Sequence, residues 1–236
     1  HNYRVTLYAV RLAQTLSRPQ DEIAALIAGA FLHDVGKIGI PDGILLKPGR
    51  LSAAEFETIK THVSIGEDIV CESKWLAKAR DVVAFHHEKY DGTGYLRGVR
   101  GEAIPFNARL FAIVDVFDAL TSQRPYKPAL ALDETMRVLA EGRGAHFDPN
   151  ILDVFAPLAA ELLREYAAAA ETYLKGRLAD FERRYFRGRT RCVDKHQDLN
   201  CAAEHVEARG SGGSFPPIQV AAFLRLQTNF TPPRTP

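Results

Sequence analysis

The stretch DEIAALIAGAFLHDVGKIGIPD, residues 21–42, gives the clearest local indication of fold class in this sequence. Its apolar residues recur at the three- and four-residue spacing of one helix face: Ile23, Leu26, Ile27, Ala30 and Phe31. Helix-breaking residues then interrupt the pattern: Gly36, Gly39, Pro41 and Gly43. We therefore predict an amphipathic helix from Asp21 to Lys37 followed by a turn, with His33-Asp34 near the end of that helix.

The same helical spacing extends outward from this stretch over residues 1–175. Ser52 and Glu55 form the capping-box pattern that starts a helix. Asp148-Pro149 has the form of a cap and first turn for a long alanine-rich helix. No segment shows the strict alternation and regular turns of a sheet protein. The sequence therefore predicts an all-α fold, a bundle of several helices.

The composition is that of a globular protein with almost balanced charge. The chain has 236 residues, 46% of them hydrophobic, and a formal net charge of +1, so no overall field attracts DNA or an anionic membrane. No apolar run approaches the ~20 residues of a membrane span. Three cysteines are too few for a disulfide framework. We expect a cytoplasmic protein with no DNA partner and no membrane span in this chain.

Composition divides the chain near residue 183. Residues 184–236 begin with a basic stretch and continue into Gly/Ser-rich and Pro-rich segments with few core-forming residues. Such a segment cannot bury enough apolar surface to order itself. We therefore predict a domain at residues 1–183 and a disordered tail at 184–236. Because the sequence begins at His1 rather than at Met, we expect the domain to be cut at its N-terminus and preceded by further sequence.

Histidines and carboxylates cluster in the part of the chain that is predicted to be helical. Five of the eight histidines lie in the first 87 residues. Asp115 and Asp118 are one helical turn apart and so face the same way. A lone histidine is usually an ordinary core or surface residue, but imidazole and carboxylate together suit iron, manganese or zinc. Two such ions can drive hydrolysis of a phosphodiester.

Several longer strings resemble the HD-GYP family of HD phosphohydrolases. Residues 33–42, HDVGKIGIPD, resemble the signature of the HD phosphohydrolases, and residues 86–95, HHEKYDGTGY, resemble the second signature of the HD-GYP subfamily. The strings DVFDALTS at 115–122, RPYK at 124–127 and FDP at 147–149 follow in the order of the family. The resemblance covers residues 1 to about 160 and implies an HD-domain helix bundle.

The resemblance implies a centre of two divalent transition-metal ions, most often iron or manganese. One ion would be held by His1, His33, Asp34 and Asp115. Asp34 would bridge to a second ion held by His62, His86 and His87. Some family members carry a glutamate one helical turn before the first histidine and hold a third ion. Because this sequence starts at His1, both two and three ions remain open.

The resemblance also implies roles around the metals. Asp34 and Lys37 would be catalytic, with the Lys37 ammonium stabilising charge on the reacting phosphate. Arg124 and Lys127 would grip the phosphates of the substrate, and Tyr95 would shape the cleft. Three further residues have open roles. Asp118 could support a ligand or be a plain helix carboxylate, Glu88 could orient a histidine or be solvated, and His146 could support a ligand or be structural.

The chain departs from the family pattern at one position. The family has Gly-Tyr-Pro where this chain has Gly94-Tyr95-Leu96. Proline would fix the backbone, so we expect a freer loop with its ligands unchanged.

The predicted tail also holds two Cys-x3-His pairs, Cys192/His196 and Cys201/His205. Their spacing matches no common zinc finger, so we favour an ordinary tail over a zinc site.

The implied function is hydrolysis of cyclic di-GMP to the linear dinucleotide pGpG, and onward to GMP. Two alternatives stay open: a hydrolase of another cyclic dinucleotide or nucleotide, and a module that senses the nucleotide without cleaving it. Retention of every assignable ligand favours the enzyme. Implied partners are the cyclic dinucleotide, an upstream receiver or sensory domain, and a diguanylate cyclase (GGDEF) protein.

Overall fold

The structure, a computed structural model, describes residues 1–74, 76–123 and 128–186. These residues form a bundle of α-helices with four short 3-10 helices between them and no strand, which confirms the all-α prediction for the described part of the chain. The α-helices are α1 Asn2–Thr15, α2 Gln20–Leu32, α3 Asp42–Leu45, α4 Ala53–Lys60, α5 His62–Cys71, α6 Arg80–Phe85, α7 Phe106–Thr121, α8 Leu132–Glu141, α9 Pro149–Phe155, α10 Ala159–Tyr166 and α11 Glu171–Phe186.

Helix α1 lies at the centre of the bundle. Val5, Leu7, Tyr8, Val10 and Leu12 have no exposed surface, although they point in different directions around the helix. Helices α2, α7 and α11 pack against α1 and cover these faces. Removing such side chains from water is the main favourable term in folding. The buried position of α1 fixes the start of the chain beside α2 and α7.

The predicted helix from Asp21 to Lys37 is wrong at its C-terminal end. Helix α2 ends at Leu32, and after His33 and Asp34 the chain continues as a 3-10 helix, Val35–Gly39. The reason is a close approach to α5: a Cβ atom on Gly36 would lie 1.9 Å from the carbonyl oxygen of His62. Glycine alone permits this contact, so the chain leaves the α2 axis there and packs its backbone against α5.

The long alanine-rich helix predicted after Asp148 is also wrong. Asp148 caps α9 with its carboxylate, as predicted, accepting the backbone N–H groups of Asn150 and Ile151. However, α9 ends at Phe155, and a 3-10 turn separates it from α10. Pro157 lies in that turn and has no N–H group to continue the helix. The other predicted cap, the Ser52/Glu55 capping box of α4, is confirmed.

The last described helix, α11, passes the predicted domain boundary. It continues to Phe186, and its Tyr185 is buried and accepts a hydrogen bond from the Gln14 side chain at 2.8 Å. The boundary at residue 183 and the disorder of the tail stay predictions, because residues 187–236 lie outside the described part. Among the described residues, no helix is both long and apolar enough to cross a lipid bilayer.

Candidate metal centre

Three buried histidines are held in one tautomer by the backbone. The Nδ1 atoms of His33, His62 and His86 each lie within hydrogen-bonding distance of the carbonyl oxygen three residues earlier, at 2.8, 2.7 and 3.0 Å. A carbonyl oxygen can only accept, so each Nδ1 carries the hydrogen and donates it. The lone pair of each ring is therefore on Nε2. Backbone contacts of this kind orient metal-binding histidines in known sites.

The Nε2 atoms converge on a first group of possible ligands. Asp34, His62, His86 and His87 each offer one donor atom, and these atoms lie within 4.8 Å of one another. The Nε2 atoms of His62 and His86 are 3.5 Å apart, and the Nε2 atom of His62 is 3.5 Å from Oδ1 of Asp34. Because the rings of His62 and His86 carry their hydrogens on Nδ1, their Nε2 atoms and Oδ1 of Asp34 are all acceptors, and no hydrogen lies between them. A cation between them would remove the repulsion, so this donor set fits a metal ion.

A second group lies next to the first. His1, His33 and Asp115 offer donor atoms within 4.8 Å of one another. The Nε2 atom of His1 lies 3.2 Å from Oδ1 of Asp115. His1 is at the N-terminal end of α1, His33 follows α2, and Asp115 lies on α7. Imidazole and carboxylate together again suit a first-row transition metal.

Asp34 connects the two groups. Its Oδ1 atom lies 3.5 Å from Nε2 of His62 in the first group, whereas its Oδ2 atom lies 3.2 Å from Nε2 of His33 in the second. The two oxygens of one carboxylate thus face different groups, as a bridging ligand requires. The Nζ atom of Lys37 donates a hydrogen bond to Oδ2 at 2.6 Å, and both side chains are buried.

The electrostatic surroundings keep Asp34 ionised and keep His62, His86 and His87 neutral. Burial alone would raise the pKa of Asp34, but the Lys37 ammonium and the neighbouring His33 and His62 hold it well below its usual range. Burial lowers the pKa of His62, lowers that of His86 to about 3 and holds that of His87 far below its ordinary value. Neutral imidazoles have no proton to release before they bind a metal ion.

His1 differs from the other histidines because carboxylates surround it. Burial would lower its pKa, but hydrogen bonds to Asp115 and Asp118 raise it to about 9. The Nδ1 atom of His1 lies 2.7 Å from Oδ2 of Asp118, which is fully buried. Of the two roles considered for Asp118, the geometry therefore favours that of a carboxylate that orients a ligand.

Tyr95 packs directly on the first group. Its ring stacks on that of His87, with the centroids 4.7 Å apart and the planes at 25°. The Lys60 ammonium lies 5.5 Å from the centre of the Tyr95 ring and 5.0 Å from that of Phe56. Tyr95 thus joins the candidate centre to an aromatic and cationic surface. This position is compatible with its predicted place in a substrate cleft.

The loop that carries Tyr95 is held by contacts that do not involve a proline. Glu88 is buried, and its Oε1 atom accepts the backbone N–H of Arg97 at 2.6 Å. Glu88 is therefore not solvated, and the partner described for it is the loop backbone. Gly94 lies so close to the preceding turn that a Cβ atom there would be 2.4 Å from the Lys89 nitrogen. These contacts fix the chain on both sides of Leu96, although the sequence predicts a freer loop at this position.

Not every predicted residue joins the two groups. His146 belongs to neither, and its ring stacks on that of Phe147 at 4.3 Å. Arg124 and Lys127 lie outside the described residues, as do the tail residues Cys192, His196, Cys201 and His205. Sequence reasoning missed Arg4, which pairs with Asp118. Its spacing of three from His1 on a helix was an available signal.

Comparisons with known proteins cover the part of the chain that holds this centre. The family model for the HD domain matches residues 1–151. A cyclic di-GMP phosphodiesterase of Vibrio cholerae is 47% identical over 140 residues, which make up 56% of this chain and 28% of that protein. A 3'3'-cGAMP-specific phosphodiesterase of the same species is 40% identical over 156 residues, 65% of this chain and 30% of that protein.

A solved structure has the same fold. The crystal structure of a cyclic GMP-AMP specific phosphodiesterase from Vibrio cholerae matches with a TM-score of 0.60 at 17% identity, over 77% of this chain and 48% of that chain. At this identity the likeness establishes the fold alone. The present chain spans 28% and 30% of the lengths of the two curated relatives and about half of the solved chain.

Proposed function

Since this chain belongs to the HD-GYP family of HD domains, we propose that it is a metal-dependent phosphodiesterase that hydrolyses cyclic di-GMP to pGpG. The observation that carries the proposal is the pair of adjacent donor groups joined by the two oxygens of Asp34. Neighbouring sites of this kind suit hydrolysis of a phosphodiester, because two ions can contact the attacking and the leaving oxygen. Continued hydrolysis to GMP is the second step of the same proposal.

Seven side chains would hold the metals. His1, His33 and Asp115 would bind one ion, His62, His86 and His87 the other, and Asp34 both. A set of imidazoles and carboxylates without thiolate suits iron or manganese. When bound, the ions would supply a hydroxide at neutral pH and stabilise charge on the phosphoryl oxygens.

The remaining residues act on the substrate and on the ligands. Lys37 lies against Asp34 and would present its ammonium to the reacting phosphate, where negative charge grows. Arg124 and Lys127 would hold phosphate in the ground state as well, since guanidinium groups bind phosphate through two parallel hydrogen bonds. Tyr95, stacked on His87, would form one wall of the cleft.

A second candidate substrate is 3'3'-cGAMP, because a relative with this specificity is 40% identical. It differs from cyclic di-GMP in one base, so both reactions would use the same metal centre and the same phosphate contacts. A purely sensory module is the weaker alternative. A sensor has no need of a carboxylate that faces two donor groups or of a buried ammonium beside it, and the positions of Asp34 and Lys37 therefore support the enzyme.

The setting of the proposed activity is bacterial second-messenger signalling in the cytoplasm. The matched segment makes up 28% and 30% of the two curated relatives, so most of each relative lies outside it. By analogy, we infer that an upstream receiver or other sensory domain accompanies this domain. A diguanylate cyclase of the GGDEF type is the partner that would make the substrate. Both remain part of the proposal.

Product analysis tests the proposed activity. The purified protein is loaded with Mn²⁺ or, without oxygen, Fe²⁺, and incubated in parallel with cyclic di-GMP and 3'3'-cGAMP. We expect pGpG from cyclic di-GMP, identified by chromatography, and no product from the Asp34→Asn variant. A metal-loaded, folded wild-type protein that binds cyclic di-GMP without cleaving either nucleotide would refute the enzyme and favour the sensor.

A further inference from the structure

The imidazole of His1 is fixed at both of its nitrogens. Its Nε2 atom lies 3.2 Å from Oδ1 of Asp115, and its Nδ1 atom lies 2.7 Å from Oδ2 of Asp118. Asp115 faces the candidate metal site, whereas the Asp118 side chain is 1% exposed and lies behind the ring. For Nε2 to bind an ion, Nδ1 must carry the hydrogen, and Asp118 is the acceptor that holds it there.

Arg4 holds Asp118 in turn. Its Nε atom donates to Oδ1 of Asp118 at 2.7 Å, and its Nη2 atom donates to Oδ2 at 3.1 Å. The same Nη2 atom donates to the hydroxyl of Ser122, the residue that follows α7, at 2.7 Å. Both oxygens of the carboxylate are thus engaged by one planar guanidinium, which is the most restrictive geometry available to such a pair.

We propose that Arg4 is a positioning residue for the metal site formed by His1, His33 and Asp115. Arg4 would fix the plane of the Asp118 carboxylate, Asp118 would fix the His1 ring, and the Nε2 lone pair of His1 would then point at the ion. The inference rests on the metal centre of the proposed function and not on its substrate. Arg4 belongs to neither donor group, and its described hydrogen bonds go to Asp118 and Ser122, so its effect would pass through Asp118 and His1.

The proposed role needs the shape of the guanidinium as well as its charge. A lysine at position 4 would place one ammonium against Asp118 but could not engage both carboxylate oxygens and Ser122 in one plane. The ring of His1 would then lose the fixed acceptor that sets its rotation. His62 and His86 do not depend on this arrangement, because their described partners at Nδ1 are backbone carbonyls.

Helix α1 supplies a matched control. Arg11 lies two turns after Arg4 on the same helix and also forms a double ion pair, with Glu161 at 2.5 Å and Glu165 at 3.1 Å. Its side chain is 27% exposed, against 21% for Arg4. Neither glutamate belongs to the candidate centre. Replacing either arginine removes a double ion pair from α1, although Asp118 is 1% exposed and Glu161 and Glu165 are 51% and 25% exposed. Only Arg4 lies behind a proposed ligand.

The test measures binding of Mn²⁺ alone to the purified full chain. Wild type, Arg4→Gln, Arg4→Lys and Arg11→Gln are stripped of metal and titrated with Mn²⁺, and bound ions per chain are counted. We expect Arg11→Gln to bind two ions, each with the same affinity as in the wild type. In Arg4→Gln the affinity for one ion should fall by about 10- to 100-fold, the usual effect of removing a partner that orients a ligand, while the other ion is retained. The electron paramagnetic resonance signal of a coupled Mn²⁺ pair should give way to that of an isolated ion.

Three results would overturn the inference. The first is that Arg4→Gln binds both ions with wild-type affinity. The second is that Arg4→Gln loses affinity equally for both ions, and the third is that Arg11→Gln loses as much affinity as Arg4→Gln. The second and third results would indicate a general loosening of the fold. Should Arg4→Gln not fold, Arg4→Lys replaces it, with the same selective loss expected. A wild-type protein that binds two ions but cleaves no cyclic dinucleotide would refute the proposed activity, and the role of Arg4 could still be measured. A wild-type protein that binds no pair of ions would refute both the proposed activity and the role of Arg4.

Discussion

The close approach of the Val35–Gly39 segment to α5 gives the most direct test of how the backbone builds this site. A Cβ atom on Gly36 would lie 1.9 Å from the His62 carbonyl oxygen and 2.4 Å from the Gly66 nitrogen. Both are backbone atoms, so no side chain can rotate away. Relief to a normal contact of about 3 Å requires a displacement of about 1 Å between the two segments. We therefore expect Gly36→Ala to move Asp34 away from His62.

Gly36→Ala should cost more than an ordinary overpacked core residue. Overpacking costs about 1–3 kcal/mol where side chains can adjust, and here they cannot, so we expect a loss of at least about 3 kcal/mol. For a chain of this size that corresponds to a fall in Tm of about 6–12 °C. Because Asp34 would connect both ions, loading of both should weaken as well.

Gly43→Ala is the matched control for this experiment. Gly43 lies in the short helix α3, and a Cβ atom there would meet nothing within 4 Å. Alanine is a better helix former, so Gly43→Ala should be neutral or stabilise by up to about 1 kcal/mol. Tm is measured calorimetrically on metal-free protein, and bound Mn²⁺ is counted separately. A Gly36→Ala protein with wild-type Tm and two bound ions would show that the close approach does not set the site.

Asp34→Asn should abolish binding of both ions and destabilise the fold by about 3–5 kcal/mol, since it leaves the buried Lys37 ammonium without its partner. Asp34→Asn/Lys37→Met should regain the stability but not the ions, and recovery of metal would contradict the bridging role. Between pH 6.5 and 4.5 the stability of the metal-free protein should fall as the pH falls. The pKa of His86 is lowered to about 3, so only the unfolded chain takes up that proton in this range; an unchanged slope in His86→Asn would contradict this. Lys37→Ala should chiefly lower kcat and Arg124→Ala chiefly raise KM, each by about 10- to 150-fold, and steady-state kinetics showing the reverse would exchange their roles.

Much of the candidate centre could be predicted because its ligands occur in short motifs. His33 and Asp34 are neighbours in the sequence, as are His86 and His87, and the resemblance to the HD-GYP family implied the division into two groups. The structure places these residues in two adjacent groups. Their helices were also readable, because apolar spacing depends only on residues a few positions apart.

The features that could not be predicted depend on contacts between distant parts of the chain. Helix α2 stops at Leu32 because Gly36 packs on α5, which no local pattern reveals. Two partners of the Asp118 side chain, His1 and Arg4, lie more than a hundred positions away, at the start of the chain. Glu88 reaches the backbone of Arg97 across the glycine-rich loop. Each of these contacts exists only after the helices have packed.

The separation of the proposed ligands along the chain links metal supply to the lifetime of the protein. They come from the ends of α1, α2 and α6, the start of α5 and the middle of α7, so the unfolded chain presents no assembled site. Ions that bind only the native state shift the folding equilibrium by mass action, by about 2.7 kcal/mol when the free ion exceeds its Kd a hundredfold. If the proposed function holds, a cell short of the metal would lose activity in two ways, because the metal-free protein is inactive and is also degraded more readily, and the cyclic nucleotide would persist for both reasons.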